Sequence, residues 1–238
     1  HIEMDEGGAP GFYTHGAKLM LADGEGAKLT PAAIAAVLDP IRPDVHRVQP
    51  HAVSITQASE YGRAYRPAEL AEIAAFAAAR GLKLHVDGAR FANAVAGLSC
   101  DPADITWKAG VDVLSFGGTK NGALMLEAVV FFDETLAADF KFRRKRAGQL
   151  YSKGRFLGAQ MEAYLKDGLW LANARHANAM AKRLAEGLAA VPGVRLPWRT
   201  QANEVFAIIP RRIHNALRME GASYYDWGAR GLSPEEVP

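Results

Sequence analysis

Two strand-like runs separated by one helix-like run do most to constrain the fold of this chain. Ala52-Val53-Ser54-Ile55 has the length and apolar content of a short buried strand. Pro67 to Arg80 follows as an alanine-rich helix, opened by a proline in its first turn, where no intrahelical N–H is needed. Gly81 stands where a helix C-cap glycine belongs, and Leu82 to Val86 resumes as strand. This is a βαβ unit. Asp101-Pro102-Ala103-Asp104 carries a helix-start signature, with Asp101 as cap and Pro102 at the first helical position. Val111 to Phe116 then predicts a third strand, and Glu127 to Phe132 a fourth after a glycine-containing turn. The alternation predicts an α/β fold with a mixed, mostly parallel sheet flanked by helices.

From Leu136 to about Ala190 the pattern turns helical, with breaks at Gly168 and Pro192-Gly193. Val194-Arg195-Leu196 and Val205 to Ile209 read as strands flanking a helix near Ile213 to Met219. The expected organisation is a large domain over 1–169 and a small C-terminal α+β domain over 170–238. Leu232-Ser233-Pro234-Glu235-Glu236 reads as a helix start, reached from Ser223 to Gly231 without the strand the pattern leads one to expect. His1 to Glu6 reads as an interior segment. Further residues are therefore expected at both places.

A chain of 238 residues can bury a substantial core, and 49% apolar with 23% charged residues is ordinary for a globular protein. Twenty-eight Lys and Arg against 26 Asp and Glu leave a formal charge of +2, too little to imply nucleic acid or an anionic membrane as partner. The concentrated run Arg143-Arg144-Lys145-Arg146 reads on its own as a solvated helix face. A single cysteine, Cys100, excludes an intrachain disulfide and fits a reducing cytoplasm.

Chemistry concentrates at two strand ends. Lys120 lies in Ser115-Phe116-Gly117-Gly118-Thr119-Lys120-Asn121-Gly122, directly after the third strand. Glycines let the backbone approach a flat ligand, and a lysine losing solvation there lowers its pKa and becomes an imine-forming nucleophile. The plain alternative is an exposed loop lysine. Asp87 follows His85-Val86 at the carboxyl end of its strand, where open α/β sheets bind ligands; alone, it would be an N-cap for the helix near Phe91. An amine and an acid so placed are what a protein needs to hold pyridoxal phosphate: the lysine forms the Schiff base and the carboxylate keeps the pyridinium nitrogen protonated. Arg90, three residues on, suits a substrate carboxylate or the cofactor's phenolic oxygen. Dinucleotide, phosphate-loop and nucleophile-elbow motifs are absent, and His46, His51, His85 and His176 lack metal-ligand spacing.

With these residues in place, the chain resembles the low-specificity L-threonine aldolases, within the β-eliminating lyase group of fold-type-I PLP enzymes. The likeness runs through His1 to Pro10, Thr56-Gln57-Ala58-Ser59-Glu60-Tyr61-Gly62, His85 to Ala94, Thr106 to Gly110 and Phe116 to Gly122. It implies the fold of the type I PLP-dependent transferases. It implies that Lys120 is the Schiff-base lysine, Asp87 the partner of the pyridine nitrogen, and His1 a ring stacked on the cofactor. It further implies that Arg90 lies beside cofactor and substrate carboxylate, and that Glu60 stands where some relatives carry a histidine near the substrate hydroxyl. Arg230 matches a small-domain arginine that binds the substrate carboxylate. Lys145 and Arg155 match a basic segment near the active site, contributed by a neighbouring subunit. In the family a Gly-Thr-type turn upstream of the position of His1 holds the cofactor phosphate.

The implied activity is PLP-dependent retro-aldol cleavage of L-threonine or L-allo-threonine to glycine and acetaldehyde. A phenylserine-type aldolase or a β-eliminating lyase on the same scaffold is the alternative. A homo-oligomer, most simply a tetramer of two dimers, acting on a small β-hydroxy-α-amino acid in the cytoplasm, completes the expectation.

Overall fold

The computed structural model describes residues 2–228, 233 and 235–237. A short helix, α1 (Ala9–Tyr13), and α2 (Pro31–Leu38) precede the sheet. Thr30 Oγ1 caps α2 by accepting the Ala33 N–H at 3.2 Å, and Pro31 takes the first turn. Then come β1 (Ala52–Thr56), α3 (Pro67–Ala78), β2 (Lys83–Gly88), α4 (Phe91–Leu98), β3 (Val113–Gly117) and β4 (Glu127–Phe131). The chain continues through α5 (Phe140–Arg146), α6 (Arg155–Leu165), α7 (Leu169–Ala189), β5 (Ile209–Pro210), α8 (Arg211–Met219) and β6 (Glu236–Val237).

The first four strands form one sheet in the order β1-β2-β3-β4. β1 to β3 are parallel and β4 is antiparallel, the mixed sheet the alternation predicts. Gly81 ends the intervening helix as expected. Its φ is +68°, its N–H bonds to Ala78 O at 3.0 Å and the Leu82 N–H reaches Ala77 O at 2.9 Å, the paired bonds of a Schellman turn.

Strand periodicity sorts the sheet into two faces. Val53 and Ile55, Leu84 and Val86, and Leu114 and Phe116 are buried against α3 and α4 with Leu70, Ile73 and Val95, in one core. The same strands turn Ser54 and Thr56, His85 and Asp87, and Ser115 to the other side, where each is only partly buried. Phe91, Phe116 and Trp170 pack as an aromatic cluster: Phe91 and Trp170 lie parallel at 6.5 Å and Phe116 meets Trp170 edge-on at 5.7 Å. Helix α7 is tied to α4 by two amides, Asn93 Nδ2 donating to Asn178 Oδ1 at 3.0 Å and Asn178 Nδ2 to Asn93 O at 2.9 Å.

Four local expectations need correction. After Asp101, which caps the Ala103 N–H at 2.8 Å, the chain makes two short 3-10 turns, Pro102–Ile105 and Trp107–Ala109, and no α-helix. The run 194–196 contributes an isolated bridge, Arg195 to Ile208, and the strand read over Val205 to Ile209 shrinks to Ile209–Pro210. Both precede α8 rather than flank it. Finally, Glu236 is strand, not helix. Its side chain does accept the Ser233 N–H at 3.1 Å, the back-bond of a capping box, but its backbone pairs with Pro210 instead of continuing a helical turn.

Candidate active site

The register puts Thr56, Asp87 and Ser115 side by side at the carboxyl ends of the three parallel strands. Asp87 is not the cap of α4, whose N-cap is Arg90. Instead its Oδ1 turns back to accept the Ala89 N–H at 3.0 Å, which fixes the carboxylate at the strand end. Glycine is required beside it. A Cβ on Gly88 would lie 2.5 Å from Ser115 O, and one on Gly117 would lie 2.9 Å from Ala89 Cα.

Lys120 sits in the 3-10 turn Thr119–Asn121 that follows β3. Both neighbours of Lys120 are anchored. Thr119 exchanges bonds with Leu126, its Oγ1 accepting the Leu126 N–H at 3.0 Å and donating to Leu126 O at 3.2 Å. Buried Asn121 donates to Tyr164 Oη at 2.6 Å and to Trp170 O at 2.8 Å, while Asn173 donates to Asn121 O at 3.0 Å. Lys120 itself is exposed, so the loss of solvation expected from the sequence is not realised. What holds its place is the rigid turn.

Arg90, at the head of α4, forms a 2.8 Å ion pair with Glu204. Burial raises the Glu204 carboxyl above the ordinary carboxylate range; Arg90 opposes the rise, Glu60 adds to it and Lys120 opposes it. Arg90 is thus in direct contact with Glu204, and the charges of Glu60 and Lys120 act on the same carboxyl without a contact to it. Glu204 was not among the sequence-derived candidates. The one signal available was its position in Asn203-Glu204-Val205-Phe206, an acid beside an apolar run, which reads equally well as a surface residue.

His85 also gains a definite place. Its Nδ1 lies 2.8 Å from Ser54 Oγ and its Nε2 2.9 Å from Ser115 Oγ, a bridge across three strands beside Asp87. Burial lowers its pKa, partly offset by Asp87, so the imidazole is neutral at physiological pH. Lys145 and Arg155, in α5 and at the start of α6, are exposed, and among the described residues neither has a hydrogen bond or ion pair to Asp87, Arg90, Lys120 or Glu204. His1 and Arg230 lie outside the described residues. No cluster of metal-ligating side chains occurs among the described residues.

An amine and an acid on neighbouring strand ends, in backbone so close that glycine is obligatory, fit a flat carbonyl cofactor with a basic ring nitrogen. The matching family is the beta-eliminating lyases, over residues 1–211. The chain belongs to that family. It is 50% identical over 231 residues to the low specificity L-threonine aldolase of a Pseudomonas species, an alignment covering 97% of this chain and 66% of that protein. The same identity and coverage hold for the low specificity L-threonine aldolase of Pseudomonas aeruginosa. A solved threonine aldolase from Leishmania major superposes with a TM-score of 0.88 at 32% identity, covering 100% of this chain and 67% of that one. The resemblance carried by the sequence motifs and the fold-type-I architecture are both borne out. The chain spans just under two thirds of the length of the curated relatives it matches.

Proposed function

We propose that the protein cleaves L-threonine and L-allo-threonine to glycine and acetaldehyde with pyridoxal phosphate as cofactor. The observation carrying this reading is the placement of Asp87 and the Lys120 turn at adjacent strand ends in a beta-eliminating lyase chain. Lys120 would be the covalent anchor for the cofactor carbonyl, and Asp87 would keep the ring nitrogen protonated. When bound, the cofactor supplies the electron sink for the breaking Cα–Cβ bond. Arg90 receives the substrate carboxylate in charge-assisted bonds, and the base for the hydroxyl proton in this reading is Glu60 or a water it orients. The family likeness adds His1 against the cofactor and Arg230 on the substrate carboxylate.

In the same reading, residues 1–169 form the cofactor-binding unit and 170–238 the smaller one. Lys145 and Arg155 serve the site of a neighbouring subunit in a homotetramer. No helix among the described residues is long and apolar enough to cross a membrane, and the lone free thiol, Cys100, suits a cytoplasmic setting.

The test is direct. The complete protein, loaded with pyridoxal phosphate, should release acetaldehyde from L-threonine, measured through a coupled alcohol dehydrogenase. Borohydride treatment should leave a pyridoxyl group on the peptide containing Lys120. Absence of acetaldehyde, or a label on Lys108 or Lys153, would sink the proposal.

A further inference from the structure

Glu204 holds more than its pairing with Arg90 requires. Its side chain and that of Arg90 are only 20% and 24% exposed, and one carboxylate oxygen, Oε1, meets the guanidinium at 2.8 Å. The other, Oε2, is buried and has no hydrogen-bond partner among the described residues. A buried carboxylate oxygen without a donor is unfavourable, more so than the neutral amide oxygens of Asn93 and Asn203 that are also left without one, and it calls for a donor that the described residues do not supply.

The carboxylate is also fixed from behind. Gln201 Oε1 accepts the Ala64 N–H at 3.3 Å, which joins the segment before Glu204 to the turn after Glu60. Glu204 packs directly on Gly62, whose φ is +65° and where a Cβ would lie 3.2 Å from Glu204 Cβ and 3.3 Å from its carbonyl oxygen. Arg90, for its part, follows Asp87 by three residues and occupies the N-cap position of α4. The pair thus stands on two rigid supports, with the charges of Lys120 and Glu60 both acting on it.

We propose that Glu204 Oε2 accepts the β-hydroxyl hydrogen of the bound amino acid, so that Arg90 and Glu204 form one two-ended receptor. The guanidinium takes the α-carboxylate, for which it keeps N–H donors beyond the one spent on Oε1. Oε2 takes the hydroxyl, and Glu204 is the residue that selects β-hydroxy over plain α-amino acids. A site built to bond a hydroxyl discriminates strongly, because the ligand lacking it leaves the acceptor unpaired. This inference rests on the proposed amino-acid substrate, and it moves hydroxyl recognition from Glu60 to Glu204.

The experiment compares binding of L-threonine and L-2-aminobutyrate, which share a skeleton and differ in the hydroxyl. Stopped-flow absorbance on the complete holoprotein, read before turnover, yields both dissociation constants. Wild type should prefer threonine by roughly tenfold to a hundredfold, the worth of a hydrogen bond to a charged partner. In Glu204→Ala the preference should fall to about one, although both ligands bind more weakly once Arg90 loses its partner. Glu204→Gln preserves shape and a neutral acceptor, and should keep only part of the preference; it carries the test if the alanine variant does not fold. A preference intact in both variants, or lost in Glu60→Gln instead, overturns the assignment. Equal affinities in wild type overturn it alone, while a wild type that binds neither amino acid overturns the parent function as well.

Discussion

Two partly buried cation–glutamate pairs, similar in length, behave in opposite ways. Lys28 Nζ meets Glu69 at 2.8 Å and 2.7 Å on its two oxygens, and the side chains are 11% and 30% exposed. The remaining polar capacity is used: Lys28 also donates to Ala64 O at 3.0 Å, and Glu69 Oε2 accepts the Arg66 N–H at 2.7 Å at the head of α3. Although burial pulls the Glu69 carboxyl upward, the bonds from Lys28 and Arg66 hold it below its usual value. The surroundings are equally complete. Tyr65 Oη accepts the Leu29 N–H at 2.6 Å, and burial pushes its phenol up to about 12. Arg90–Glu204, by contrast, leaves an oxygen unpartnered and a carboxyl raised by burial. A pair whose every group is satisfied holds the fold together; a pair left short of a donor is prepared for a ligand.

The largest effect that can test this contrast belongs to the residues next to the second pair. Lys120→Ala should lower turnover by about a thousandfold or more, since no other group in the turn replaces the anchoring amine. Its stability should stay within about 0.5 kcal/mol of wild type, because the side chain is exposed and its neighbours Thr119 and Asn121 hold the turn. Asp87→Ala should fold and lose most of its activity. Near-normal turnover in either variant, with cofactor bound, would remove the site from the strand ends.

Next in size is a stability effect at the first pair. Glu69→Gln should destabilise the protein by about 2–3 kcal/mol, since it leaves Lys28 largely buried without its anion. Glu204→Gln should change stability by less than about 1 kcal/mol, because it replaces a carboxylate that is not fully satisfied. Urea unfolding of both variants at neutral pH measures the two numbers. Equal losses would mean that the two pairs are of one kind.

The difference between the regions also decided what the sequence could disclose. The βαβ unit, the existence of a fourth strand, Gly81 as helix stop and the strand-end places of Asp87 and Lys120 were legible because each rests on local periodicity or turn chemistry, whereas the antiparallel sense of that fourth strand appears only in the structure. Glu204 was not, because its role depends on contacts with Arg90 and Gly62, more than a hundred residues earlier in the chain. His85 shows the same limit. As a lone histidine it carried no signal, and only the pairing of three strands sets it between Ser54 and Ser115. The C-terminal strands misled for a related reason: a two-residue pair such as Ile209–Pro210 with Glu236–Val237 is too short to leave a period.

The smallest expected effect is the most specific, since it differs in sign between the pairs. Glu69 titrates below its usual value of 4.5 in the folded protein, so its stabilisation is present above that value and is lost as pH falls through the folded-state pKa. Glu204 titrates above 4.5, so the folded state binds its proton more tightly than the unfolded chain does. Its contribution is present below that value and is lost as pH rises through the folded-state pKa. Glutamine at either position removes the titration. The stability of Glu204→Gln relative to wild type should therefore rise with pH just above 4.5 and level off toward neutrality, whereas that of Glu69→Gln should fall with rising pH over the acid side of the same value. Unfolding free energies at several pH values, taken as differences from wild type, isolate the two slopes. Parallel slopes would place Glu204 with the structural pairs, and its unpartnered oxygen would then need a reason other than a ligand.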